Sequence, residues 1–363
     1  MRFIAVTLIF RLQVSLVSAQ VQPITDLFVV DQASCGQYLT AQANGVSILQ
    51  QLANEAGAMV DAARQIFESG SGLNSPPISS CEAYLYGMFG IRPNDGLLYD
   101  MDTVLVNTHE FLFGGTQPPG NTYKTHLFCN DDAFLKRSAR QQAVQLNGQP
   151  ATLNGQAVSV ESLYAGPIAD NTENGVYPDI FLLQLPASGN QAAMWQYYFF
   201  RAFDGQKICS GGVRAETFKA YINQTPVPVV VLCPASFTGG RTDTLGGIAP
   251  EPDPPNQQAV QAVSDVRPNS LTFLHELFHL CPWDPTTKSL DVIDNSYNGG
   301  DAYDVWDILT YPPAESTINA QNYAFFSLAA WYTLNKRVPD PRGNGQTVLI
   351  TYANGDCDYI RGP

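Results

Sequence analysis

The chain has 363 residues, enough for one large domain or two average ones, and 45% apolar against 14% charged residues excludes general disorder. Its 33 acidic and 19 basic side chains leave a formal charge of −14. No basic patch stands out, which argues against nucleic acid as a partner.

Arg2 opens a short positive region, an apolar run follows, and Val17-Ser18-Ala19 has the small-residue pattern of a signal-peptidase site. Residues 1–19 are therefore expected to be a signal peptide. The run is too short and too interrupted to span a membrane, which takes about 20 apolar residues. Residues 20–363 read as one domain, with room for a short propeptide after residue 20, and as a secreted, extracellular monomer with no membrane partner. The seven cysteines 35, 81, 129, 209, 233, 281 and 357 hold no CxxC pair. They predict three disulfides and one leftover thiol. Asn223-Gln224-Thr225 is a glycosylation acceptor sequence.

Residues 27–30 look like a strand. From 36 to 68 apolar residues recur at three- and four-residue spacing, which predicts one long amphipathic helix. A turn-rich loop covers 70–80, and 83–89 form a short aromatic segment. From 97 to 185 short apolar runs alternate with Gly, Asn and Pro, which predicts strands and loops. The aromatic stretch 195–203 reads as core. Residues 226–233 are the clearest strand; Pro226 and Pro228 favour an edge position or the strand's beginning. A Gly- and Pro-rich loop, 236–258, leads to a helix at 269–281 bounded by Pro268 and Pro282. A last helix covers 319 or 321 to 334.

The helix at 269–281 carries His275-Glu276-Leu277-Phe278-His279, an HExxH motif. Positions i and i+4 share one helix face, so two imidazoles there can hold one tetrahedral metal. Glu276 sits beside the first ligand, where its carboxylate can reach a metal-activated water rather than the metal. The other two histidines, His109 and His126, are read as structural or surface groups.

Elimination narrows the third ligand. A metzincin needs HExxHxxGxxH, but Pro282 and Pro285 occupy the glycine and last histidine positions. No His follows 279, and the one later Glu, Glu315, follows two prolines. Cys281 turns off the ligand face. The remaining candidates are Asp284, Asp291, Asp294, Asp301, Asp304 and Asp307, with Asp340, Asp356 and Asp358 more remote.

An HExxH helix with an aspartate ligand resembles the aspzincins: deuterolysins, peptidyl-Lys metalloendopeptidases and their divergent secreted fungal relatives. Leu274–Leu280 is similar to their zinc helix, 230–234 to the strand ending in Cys-Pro before it, Ala302-Tyr303 to part of the GTxDxxYG segment, and 319–326 to the start of their last helix. GTxDxxYG itself is broken here: Gly300 stands where its Asp would be, and Asp304 where its last Gly would be. Divergent relatives place the aspartate in a φ-x-D segment, which Val292-Ile293-Asp294 matches. The resemblance therefore implies Asp294 as third ligand, ahead of Asp301 and Asp291. It also implies that Tyr303 lines the site and steadies the transition-state oxyanion. The implied fold is α+β and zincin-like: a helical N-terminal part, a small twisted sheet and the zinc helix, with a cleft along an edge strand where peptide substrate adds. The implied cofactor is one Zn2+, the substrates proteins or peptides, and the reaction hydrolysis with Glu276 as general base. The alternatives are a secreted zinc-binding or host-interaction protein without peptidase activity, favoured by the broken GTxDxxYG, and a structural disulfide protein with an accidental HExxH.

Overall fold

The computed structural model describes residues 20–360 except 44, 71–78, 93–94, 119–122, 171, 173–174, 187–192, 201–206, 223–224, 253–259, 282–291, 295, 298–299, 302–303 and 344. The expected signal peptide and Asn223 lie outside the described residues. The fold is mixed α+β. Its principal helices are α1 (Ile48–Gly70), α2 (Ser79–Phe89), α3 (Leu98–His109), α4 (Ser270–Leu280) and α5 (Ala320–Asn335). Seven strands form the main sheet: β1 (Val29–Val30), β2 (His126–Phe128), β3 (Leu135–Arg137), β4 (Asp179–Leu185), β5 (Met194–Phe200), β6 (Ala215–Ile222) and β7 (Thr225–Leu232), in the order β1-β2-β7-β6-β5-β4-β3. β1, β2 and β7 run parallel; the remaining pairs are antiparallel.

This sheet is larger than the small one expected, because three-residue strands such as β2 and β3 are too short to show a period. β7 is interior, between β2 and β6. Its prolines lie at its beginning, before the ladder to β2 starts at Val229. A missing N–H is therefore tolerated there. Both faces of β7 are buried: Val230 and Leu232 against the helices, Val229 and Val231 in a second cluster with Phe128, Phe181 and Phe218. An unbroken β-branched run suits such a strand better than alternation.

The helix expected over 36–68 is two helices. Gln32–Thr40 ends in a tight hairpin, Gln42–Ala43 against Val46–Ser47, before α1 begins. Gly45 adopts φ 83°, a left-handed conformation that glycine reaches without strain. Within 97–185, α3 replaces an expected strand-and-loop region; its buried Met101, Val104, Leu105 and Thr108 sit at helical spacing. The aromatic segment at 83–89 belongs to α2.

Among the described residues two disulfides are present, Cys35–Cys129 and Cys209–Cys233, and the side chain of Cys81 lies outside them. Cys281 and Cys357 are buried thiols. Among the described residues no helix is long and apolar enough to cross a membrane.

His126 stands in β2 with strands on both sides. Its Nδ1 is buried and has no hydrogen-bond partner among the described residues. Burial pushes its pKa down to about 4, against a weaker upward pull from Asp31. The unfolded chain takes up this proton first, near pH 6.5, so stability drains as pH falls from 6.5 to about 4. The shift corresponds to roughly 3 kcal/mol. Urea denaturation at pH 7 and pH 4.5 is expected to show wild type losing about that much more than His126→Gln. Equal losses in the two proteins would refute this assignment.

Candidate metal centre

Helix α4 follows Pro268, and its lead-in is tied down by side chains. Asn269 does not cap the helix with its side chain. Its amide instead accepts from the Gly240 N–H at 2.7 Å and donates to Asp243 at 3.1 Å. The Ser270 hydroxyl donates to Glu55 of α1 at 2.6 Å, which places a carboxylate at the helix N-terminus, where the dipole favours it. Leu274, Leu277 and Phe278 are fully buried, and α4 packs on α1, α5 and β6. His275, Glu276 and His279 are thereby held on a rigid element rather than on a loop.

The structure brings Asp294 to both histidines. His275 Nε2 and His279 Nε2 are 3.0 Å apart, and Asp294 Oδ1 lies 3.1 Å from the first and 3.4 Å from the second. Ligand atoms about 2.0–2.1 Å from one tetrahedral ion lie roughly 3.3–3.4 Å apart. The three atoms thus stand close to the corners such an ion needs, with the fourth position left over. Among the described residues this is the one group of three His, Cys, Asp or Glu side chains that could hold a metal ion.

His279 and the segment that carries Asp294 are fixed from behind. The His279 Nδ1–H donates to the Val292 carbonyl at 2.8 Å, which turns Nε2 toward the centre. Val292 is buried, whereas the Ile293 side chain is exposed. Ile293 anchors through its backbone: its N–H donates to Ile318 at 2.7 Å, and its carbonyl accepts from Ala320, the first residue of α5, at 3.1 Å. Asp294 is the next residue and keeps one side open to solvent.

Glu276 is buried and lies outside the ligand group. The Thr217 hydroxyl donates to its Oε2 at 2.7 Å. Burial pushes the Glu276 carboxyl up, and the charges of His275 and His279 only partly offset this. For His279, burial opposes protonation, but the Asp294 carboxylate, with Glu276 and the Val292 carbonyl, overrides it and raises the pKa to about 10. Asp294 is held below the usual carboxylate range: burial pushes it up, and the two imidazoles outweigh that. The cluster therefore calls for positive charge at its centre, which a divalent cation supplies.

The other sequence candidates go elsewhere or lie outside the described residues. Asp304 caps a short helix, Val305–Ile308, by accepting from Trp306 N–H at 3.0 Å. Asp340 pairs with Arg342 at 2.7 Å. The Cys281 thiol meets Thr108. His109 stacks on Phe113. Asp284, Asp291, Tyr303 and the side chain of Asp301 lie outside the described residues.

Sequence reasoning missed Thr217, which comes to Glu276 from 59 residues away. It also placed the site beside an edge strand. Thr217 lies on β6, the fourth of seven strands, because β5, β4 and β3 extend the sheet beyond it. The β6–β5 ladder has one register pair among the described residues, Tyr221↔Tyr197, whereas β6 pairs with β7 along its whole length. Comparison of the chain with family models, with curated proteins and with solved structures gives no match.

Proposed function

We propose that this chain is a secreted zinc endopeptidase of zincin-like fold, with His275, His279 and Asp294 as the metal ligands and Glu276 as the general base. The observation that carries the reading is a buried carboxylate placed next to, but not in, a three-ligand group of tetrahedral spacing. Two neutral imidazoles and one carboxylate suit Zn2+ and match the ligand count of catalytic rather than structural zinc sites. The two disulfides fit an oxidising compartment. The aspzincin resemblance supports the same assignment through Val292-Ile293-Asp294.

Zinc bound there would lower the pKa of a water in the open position and polarise a substrate carbonyl. Glu276 would take a proton from the attacking water and give it to the leaving amine; its raised pKa suits a group that must both accept and give. Thr217 holds the carboxylate so that its other oxygen can face the reacting water. An extended peptide crossing the site past Thr217 would have its scissile bond beside Glu276.

Cleavage of casein or a quenched peptide, with and without a chelator, tests the reading. Cleavage is expected, with loss on chelation and recovery on adding zinc. Stable zinc binding without cleavage of any peptide would favour a zinc-binding protein without peptidase activity. Thr217→Val removes one hydrogen bond to a charged group, a loss of about 1.5 kcal/mol or more. It is expected to lower kcat roughly tenfold with the zinc content unchanged. An unchanged kcat would remove Thr217 from the mechanism.

A further inference from the structure

We infer that Arg214, Arg241 and Arg267 form an anion subsite that takes a carboxylate of the peptide substrate about three residues from the scissile bond. The substrate assignment rests on the peptidase reading; the anion site itself rests on the following geometry. Three separate segments bring these arginines together. Arg214 immediately precedes β6, and its carbonyl accepts from Cys233 N–H at 2.7 Å. Its guanidinium lies on Gly239, so closely that a Cβ there would come within 2.8 Å of Nε. Arg241 is two residues further on, and its N–H donates to the Arg267 carbonyl at 2.8 Å. Arg267 precedes α4.

The group is short of negative charge. Arg267 Nε is buried and has no acceptor among the described residues. The one ion pair of the three arginines among those residues is a long one, Arg241 to Asp265 at 3.9 Å. Asp265 is already engaged, since its Oδ2 accepts from Ala262 N–H at 3.1 Å. Asp304, the other acid acting on Arg267, accepts from Trp306 N–H. In a chain of net charge −14, a local excess of cations runs against the overall balance. Burial, and after it the like charges of Arg214 and Arg241, weigh on Arg267. An anion relieves both that repulsion and the unfilled N–H, and guanidinium forks fit a carboxylate.

The position suits a substrate subsite. Arg214 is three residues before Thr217 on an extended chain, roughly 10 Å at about 3.3 Å per residue, and Thr217 holds Glu276. An extended peptide crossing the site has the same rise, so a residue about three places from the scissile bond would reach the arginines. The shared chemistry is a carboxylate, from an acidic side chain or from the peptide's own C-terminus.

The test uses zinc-loaded Glu276→Gln protein and fluorescence anisotropy of labelled, C-terminally amidated peptides in which one Glu is moved along a Gln-containing sequence. A second set carries a free C-terminus. One Glu position, or one placement of the free C-terminus, is expected to bind at least about fivefold tighter than its uncharged counterpart. Adding Arg267→Gln or Arg214→Gln should reduce that preference below twofold. Arg241→Gln should weaken it as well, and its side chain is 58% exposed, so this variant keeps the test valid if the other two misfold. No charge preference at any position, or one untouched by Arg241→Gln and Arg267→Gln, would overturn the subsite. Cleavage of the same peptides by wild type reads the peptidase activity separately. Cleavage without preference counts against the arginines alone, and preference without cleavage counts against the peptidase reading alone.

Discussion

Replacing Glu276 with glutamine is expected to lower kcat for peptide hydrolysis by roughly 10²–10⁴-fold, while the protein keeps its zinc and its thermal stability. The expectation follows from where the carboxylate sits. It is buried, it accepts from Thr217, and it is not one of the three converging ligand atoms. Glutamine preserves the shape and can still accept from Thr217, so packing is little disturbed. What is lost is the ability to take a proton from water. An active Glu276→Gln protein would falsify the general-base assignment, and a variant that lost both activity and zinc would place Glu276 among the ligands instead.

Replacing Asp294 with alanine is expected to weaken zinc binding by at least about 100-fold, measured by competition with a chromophoric chelator. Losing a group that merely orients a ligand already costs about 10–100-fold, and Asp294 contributes an oxygen of the cluster itself. Its carboxylate lies within 3.1–3.4 Å of both imidazoles, and His279 owes its raised pKa chiefly to that oxygen. Asp301→Ala should change the affinity by less than about threefold, a difference too small for a lost ligand. The opposite ranking of the two variants would move the third ligand to Asp301 and leave the His-Glu-His helix in place.

How far these features could be read in advance depends on their range along the chain. His275 and His279 are four residues apart on one helix, so spacing alone puts them on one face. Asp294 needed elimination and a family resemblance, because 13 residues from Leu280 to Asp294 carry no regular period. What fixes it in space is tertiary: Ile293 adds to the start of α5, and Val292 meets His279. Thr217 had no local signal at all. Only the packing of α4 on β6 brings it to Glu276.

The fold shows the same division. α4, α5 and the body of α1 follow their apolar periods and punctuation. The break before α1 was legible in principle, since Asn44-Gly45 is a strong hairpin dipeptide, but the helical spacing on both sides masked it. α3 was hidden by its polar face, where Asp100, Asp102 and Asn107 dilute the buried Met101, Val104 and Leu105. The sheet order has no sequence signature. β2, three residues long, joins β1 to β7 across about 100 residues of chain, a pairing that emerges only from the shared core.

His275, His279 and Asp294 are proposed to hold one zinc ion. The most direct test is the metal content of purified full-length protein after zinc repletion and gel filtration, read by inductively coupled plasma mass spectrometry. Close to one equivalent of zinc per chain is expected in wild type and in Glu276→Gln, with a near-complete loss in His279→Ala. Less than about a tenth of an equivalent in correctly folded wild-type protein would contradict this assignment, since a site of this ligand set retains its ion through such a procedure.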